Sequence, residues 1–316
     1  MRPQPDTGTL ARGLLVVLAA EAFFLVLIPG AVWLGGAISG QTWALLAGGW
    51  YFGFRAAAVG KNFLQTWQAR SPRAPEHQIG ALATLRLLWG EYYATLVVYS
   101  FLFPFEAWLV PQAPKPVCAG SGMPIVLVPG FACNRGYWLS FAKWLSAAGQ
   151  GPVYAVSLEP LFGSIDENAR RLGERVEAIC AATRSQRVIL IGHSMGGGVA
   201  RAWLHAGGAA RIERIIALGS PHRGTVLTKG IEFLGENLRQ MSVGSAWTQA
   251  LNAHEQRPCP VPITAIVTPH DSIVAPQDSC YLRYPNARNI TLPGIGHLEM
   301  VLSRPVFEAT LRELQA

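Results

Sequence analysis

The sequence predicts an α/β domain built on a mainly parallel sheet and preceded by an apolar, membrane-spanning helical region. Three observations lead there. β-branched apolar runs alternate with helical patterns from about residue 122 onward. Three apolar segments crowd the first 110 residues, and one serine stands between glycines where a strand hands over to a helix. Strand–helix alternation is the mark of a parallel sheet covered on both faces.

The helical region comes first. Only 14% of the 316 residues are charged, against about a quarter in an ordinary soluble domain. Most of that deficit lies before Pro111. Residues 14–28 (LLVVLAAEAFFLVLI) hold one charge, Glu21, and run on as PGAVWLGGAI to Ile38. That is enough to cross a hydrocarbon layer of about 30 Å. Residues 42–59 form a second segment with Arg55 inside it. Residues 87–110 form a third, uncharged from Tyr92 to Phe105 and flanked by Glu91 and Glu106. Two alternatives stay open. Arg2, Arg12 and Ala20-Glu21-Ala22 resemble a cleaved signal peptide, although the apolar run continues past that point. The later segments could also be buried helices of a soluble domain.

Charge orders these segments. Arg2 and Arg12 precede the first, and residues 35–41 carry no charge. Lys61, Arg70, Arg73 and Arg86 stand between the second and third, against Glu76 alone. About three spans with a cytoplasmic amino terminus satisfy the positive-inside rule. The expectation is an integral membrane protein of a bacterial inner membrane, its catalytic domain on the periplasmic side. Most of the net charge of +7 is accounted for in this way. No basic repeat or aromatic-interleaved patch points to nucleic acid.

The expected division is therefore a membrane region at 1–110, a proline-rich linker at 111–121 and a catalytic domain at 122–316. Within that domain, residues 124–128, 153–157, 187–191, 212–218, 263–267 and 287–292 read as strands. Residues 166–183 and 194–205 have helical spacing. Six strands make a compact sheet.

The chemistry centres on Gly192-His193-Ser194-Met195-Gly196. Five residues of this pattern are weak evidence alone in a chain with 33 glycines. Here they follow a buried strand and open a helix, so the Ser194 hydroxyl stands above the sheet edge beside free N–H groups of a helix amino terminus. The spacing does not give a dinucleotide-binding turn, and no acidic residue ends a following strand. A nucleophilic serine needs a base, and the base needs an orienter. Asp271 follows one strand in "IVTPHDSIVAP" and His297 follows the next in "LPGIGHLEM". Asp278 is the rival acid, and His222 and His270 are rival bases. Backbone N–H groups of Phe131 and Met195 are the expected oxyanion donors. An ordinary turn at Pro129-Gly130 is the competing reading of the first.

From about Gly122 the chain resembles bacterial lipases and esterases of the α/β-hydrolase fold. The carrying stretches are "IVLVPGFACNRGYW", "IGHSMGG", "GSPHRGT", "HDSIVAPQDSC" and "IGHLEM". "GSPHRGT" is similar to a segment of triacylglycerol lipases. Pro129 departs from the pattern, since many such proteins carry histidine there. The resemblance implies a Cys259–Cys280 bridge pinning the acid loop. Residues 227–258 are expected to form a cap or lid over Ser194, with a plain packed helix pair as the equal alternative. Zinc-ligand spacing is lacking, and Glu299 alone is too little for calcium. No metal or cofactor is expected.

The function expected is a membrane-anchored serine ester hydrolase, a lipase or carboxylesterase, cleaving lipid-like acyl esters through an acyl-enzyme on Ser194. A phospholipase or acyltransferase on the same triad is one alternative. A catalytically silent membrane scaffold or transport protein is another, though no paired interrupted helices suggest transport.

Overall fold

The computed structural model describes residues 8–36 and 38–316. Its amino-terminal part is helical: α1 (Thr9–Ala22) passes through a π-turn at Phe23–Leu27 into α2 (Ile28–Leu34). The chain then turns and returns along α3 (Gly40–Gln68), whose start is capped by the Ser39 hydroxyl accepting the Thr42 N–H at 3.1 Å. Next come α4 (Ala81–Val97) and the short α5 (Glu106–Leu109).

The remainder alternates as read from sequence. β1 (Ile125–Val128), α6 (Leu139–Ala147), β2 (Val153–Ala155), α7 (Ile165–Thr183), β3 (Val188–His193), α8 (Met195–His205) and β4 (Ile212–Leu218) follow in order. Short helices α9 (Glu236–Gln240) and α10 (Ala246–Ala253) precede β5 (Ile263–Val267), β6 (Arg288–Thr291) and α11 (Arg304–Gln315). The six strands form one sheet in the order β2-β1-β3-β4-β5-β6, with every pairing parallel.

Local signals account for the layers. In β1 and β3 every residue is buried, as strands with both faces covered require. α7 buries Ile165, Ala169, Leu172, Val176 and Ile179 at alternating four- and three-residue steps, which places one apolar stripe on the sheet. Its Ser164 cap accepts the Glu167 N–H at 3.0 Å, and Asp166 and Glu167 complement the positive end of the helix. α7 and α8 cover one sheet face; α4, α6 and α11 cover the other.

The third apolar segment packs on protein along one face, while Trp89, Tyr93, Phe101 and Trp108 stay exposed. Leu87, Glu91 and Ala94 of α4 and then Val98 and Phe103 are buried. Ala94, Val98 and Phe103 share a core cluster with Ile125, Leu127 and Ile191 of the sheet. Apolar runs record a dry partner and not its identity, and here the partner is protein. The expected boundary at residue 110 is consequently not a packing boundary. Among the described residues, Thr9–Leu34 is the one helix long and apolar enough to cross a membrane.

Candidate active site

β3 delivers the chain to Ser194, which adopts φ 53° and ψ −126° before α8 begins. Such strain in a non-glycine residue persists only where its surroundings hold it. Here the Ser194 N–H donates to the Leu218 carbonyl at 2.8 Å, while the Ser194 carbonyl accepts the Gly197 N–H at 3.1 Å. Opposite lies Gly130, where an added Cβ would stand 2.8 Å from the Ser194 Cβ and 3.3 Å from its Oγ. That close approach makes glycine necessary after Pro129. Phe131 and Met195, the expected oxyanion donors, flank the serine. Phe131 lines its cavity, and Met195 is the first residue of α8.

Asp271 and His297 come together 26 residues apart in sequence. The His297 Nδ1–H donates to Asp271 Oδ2 at 2.8 Å. The other carboxylate oxygen accepts backbone N–H groups of Ile273 at 2.8 Å and Val274 at 2.7 Å. Asp271 is thereby held in one orientation, and His297 keeps Nε2 for a proton acceptor's role. Burial works to lower the His297 pKa. The Asp271 carboxylate, by charge and hydrogen bond, and the Glu91 charge outweigh it, so the pKa lies above the ordinary histidine value. Gly219, at φ 53°, lies against this pair: a Cβ there would be 2.7 Å from Met300 Sδ and 3.2 Å from Asp271 Oδ2.

The rivals lie elsewhere. Asp278 is exposed, with its N–H donating to Ser71 Oγ. His270 accepts the Gly294 N–H, and burial lowers its pKa to about 4. Neither His222 nor His270 is among the residues lining the Ser194 cavity.

Three residues that sequence reasoning passed over brace the His297 loop. Glu91 Oε1 accepts the Leu298 N–H at 3.0 Å and the Ser272 hydroxyl at 2.5 Å; Oε2 accepts the Glu299 N–H at 3.0 Å. Burial raises the Glu91 pKa, while these donors and His297 oppose that rise. The His193 ring packs 4.5 Å from that of His297, and its Nε2–H donates to the His297 carbonyl at 3.1 Å. Desolvation holds His193 well below the usual histidine range, so it is neutral. The Tyr137 hydroxyl donates to the Leu298 carbonyl at 3.0 Å. Tyr137 and His193 sit inside quoted motifs, but a motif does not say which loop its side chains touch.

Ser194 and His297 open into one cavity of about 580 Å³. Leu227, Ile231, Leu238 and Met241 supply part of its wall, within the segment expected to form the lid. Much of the rest comes from Leu14, Val17 and Leu18 of α1 and from Phe54, Ala58 and Val59 of α3. The roof is therefore shared between the 227–258 segment and the amino-terminal helices. Cys259 and Cys280 are separate buried thiols and not a bridge; the Asn286 side chain instead clamps the Cys259 backbone, through both its N–H and carbonyl. Among the described residues no cluster of three potential metal ligands occurs.

The PGAP1-like alpha/beta domain model matches residues 164–278, a stretch that includes Ser194 and Asp271 and ends before His297. No curated protein matches the chain. Among solved structures, lipase B of Aspergillus fumigatus superposes with a TM-score of 0.58 at 15% identity, covering 99% of this chain and 83% of that one. The mature lipase BlEst2 of Bacillus licheniformis gives 0.52 at 17% identity, covering 64% of this chain and 96% of that one. The chain has the α/β-hydrolase fold.

Proposed function

We propose that this α/β-hydrolase-fold chain is a membrane-associated serine ester hydrolase that cleaves lipid-like acyl esters. One observation carries the reading: His297, bonded to the buried Asp271 carboxylate at 2.8 Å, opens into the same cavity as the strained Ser194. In this reading Ser194 Oγ attacks the ester carbonyl as His297 Nε2 takes its proton. Asp271 holds the imidazole and stabilises its cation. Backbone N–H groups of Phe131 and Met195 receive the oxyanion, at an α-helix amino terminus whose dipole favours negative charge. The tetrahedral intermediate collapses, His297 protonates the departing alcohol, and the acyl group remains on Ser194. Water, deprotonated by His297, then releases the acid and restores the serine.

Supporting the acyl substrate is the apolar part of the cavity wall, where Phe131, Leu238, Met241, Val274 and Leu298 line the same space as Ser194 and His297. Support for membrane association comes from the Thr9–Leu34 helix. The test is hydrolysis of p-nitrophenyl esters of graded acyl length by detergent-solubilised protein. Turnover should persist in the parent and vanish in Ser194→Ala; equal turnover in that variant would remove Ser194 from the mechanism.

A further inference from the structure

We infer that α1, α2 and α3 form a helical hairpin that enters the bilayer from the catalytic side and returns to it. It leads an acyl chain from the lipid directly to Ser194. The two arms run antiparallel and are tied at two levels. Arg55 pairs with Glu21 at 2.8 Å near the base, and Trp33 stacks on Trp43 with ring centres 6.1 Å apart near the tip. Between them the Trp43 indole N–H donates to the Leu25 carbonyl at 3.2 Å.

Both ends of the hairpin are fastened to the catalytic domain. At the start, the Gly8 and Thr9 N–H groups donate to Glu106 and Glu159 at 3.2 and 2.8 Å. At the return, the Ser71 N–H donates to Gln277 Oε1 at 3.1 Å and Arg73 Nε donates to the Pro269 carbonyl at 2.8 Å. A chain that leaves and rejoins the same body has its ends on one side of any membrane it enters.

What covers the hairpin follows from its composition. Residues 22–54, everything beyond the Glu21–Arg55 pair, carry no charged side chain. Phe24, Leu34, Leu45 and Trp50 point outward there, Leu34 at 80% and Leu45 at 76% exposure. From Glu21 to Leu34 a helix rises about 20 Å, most of the way through a hydrocarbon core of about 30 Å. The Trp33–Trp43 stack then sits toward the far headgroups, where aromatic rings gather. Glu21 and Arg55 enter the apolar layer only as a mutually neutralised pair. An aqueous surface would not retain this much contiguous apolar area.

Charge fixes the side. Arg12, Lys61, Arg70, Arg73 and Arg86 all belong to the base, and none to the tip. Positive-inside placement then puts the base, and with it Ser194, on the cytoplasmic face. The unpaired thiols of the catalytic domain suit a reducing compartment. This replaces the expected periplasmic placement, which counted three crossings, the third of which packs on the sheet.

Delivery follows from the cavity wall. α1 and α3 line it with Leu14, Val17, Leu18, Ala58 and Val59 just below the ion pair, with Glu21 and Arg55 themselves, and with Phe54 just beyond it. An acyl chain resting between the arms in the bilayer continues into the cavity without crossing water. This part of the inference rests on Ser194 being the nucleophile; the topology does not.

Two measurements test it. Green fluorescent protein or alkaline phosphatase fused after Ala316 should give bright fluorescence and inactive phosphatase, and alkaline carbonate should leave the full chain in the membrane. Active phosphatase would overturn the cytoplasmic placement, and release by carbonate would overturn the inserted hairpin, whatever Ser194 does. The second uses Leu45→Glu/Leu46→Glu, on the hairpin and remote from the cavity, in vesicles of phosphatidylethanolamine and phosphatidylglycerol. Hydrolysis of p-nitrophenyl palmitate carried in the vesicles should fall at least tenfold, with p-nitrophenyl acetate unchanged. Unchanged palmitate hydrolysis, or an equal fall for both esters, would overturn the delivery route. Ser194→Ala separates the two readings, since it should silence both esters while leaving the fusion reporters and carbonate resistance as they are.

Discussion

Glu91 and Leu298 lie 207 positions apart, yet the Glu91 carboxylate accepts the Leu298 N–H at 3.0 Å, one residue beyond His297. The same carboxylate holds the Glu299 N–H and the Ser272 hydroxyl. One side chain from α4 thus caps the turn that follows the proposed base and braces the residue after the proposed acid. Leaving a buried donor unmet costs about 1–3 kcal/mol.

Glu91→Ala should therefore lower both thermal stability and turnover, and Glu91→Gln should separate the causes. Glutamine restores volume but turns an NH₂ group toward a backbone donor and removes the charge. Because that charge helps to raise the His297 pKa, the acidic limb of kcat/KM should move to lower pH in Glu91→Gln. A limb that stays in place would reduce Glu91 to a structural tie.

The pH profile of the parent has a definite sign. His297 must be neutral to take the serine proton, and its pKa lies above the ordinary histidine value. Activity should accordingly be lost as pH falls through a value higher than that of a free histidine, and be held above it. The Asp271 carboxylate is the chief raising influence, so the residual activity of Asp271→Asn should titrate at lower pH. A profile unchanged by Asp271→Asn would mean that His297 is not the titrating base.

Loss of a triad member should be severe. His297→Ala and Asp271→Asn are expected to lower kcat on the order of 10⁴-fold, while Asp278→Asn, at an exposed position away from His297, should be close to the parent. Steady-state kinetics with a soluble ester decides this. If Asp278→Asn proved the damaging change, the acid would have to be reassigned.

Gly219→Ala offers a steric test. The left-handed backbone costs about 1–2 kcal/mol for a non-glycine residue, and the new methyl would press on Met300 and Asp271. We expect a modest fall in Tm with a disproportionate loss of kcat, because the acid–base pair is displaced. Loss of stability alone, with kcat intact, would show that the pair tolerates the shift.

How much of this could be read from the residues depends on the range of the interaction. The six strands, the Ser194 turn and the loops bearing Asp271 and His297 are local patterns, each declared within about ten residues. Glu91, His193 and Tyr137 act through contacts that only the fold creates, so their place beside His297 was not legible. The α4 segment shows the same limit: its apolar face reads alike against lipid or sheet. In the sequence Arg55 is a lone charge inside an apolar segment; its partner Glu21, 2.8 Å away, is supplied by the packing of α1 on α3.

The central claim is that Ser194 is a nucleophile activated by His297. A fluorophosphonate probe, reacting only with an activated serine, tests it most directly. Peptide mapping of the labelled full chain should find one adduct, on Ser194, absent in Ser194→Ala and strongly slowed in His297→Ala. A folded parent that does not react, or an adduct on another residue, would contradict the account.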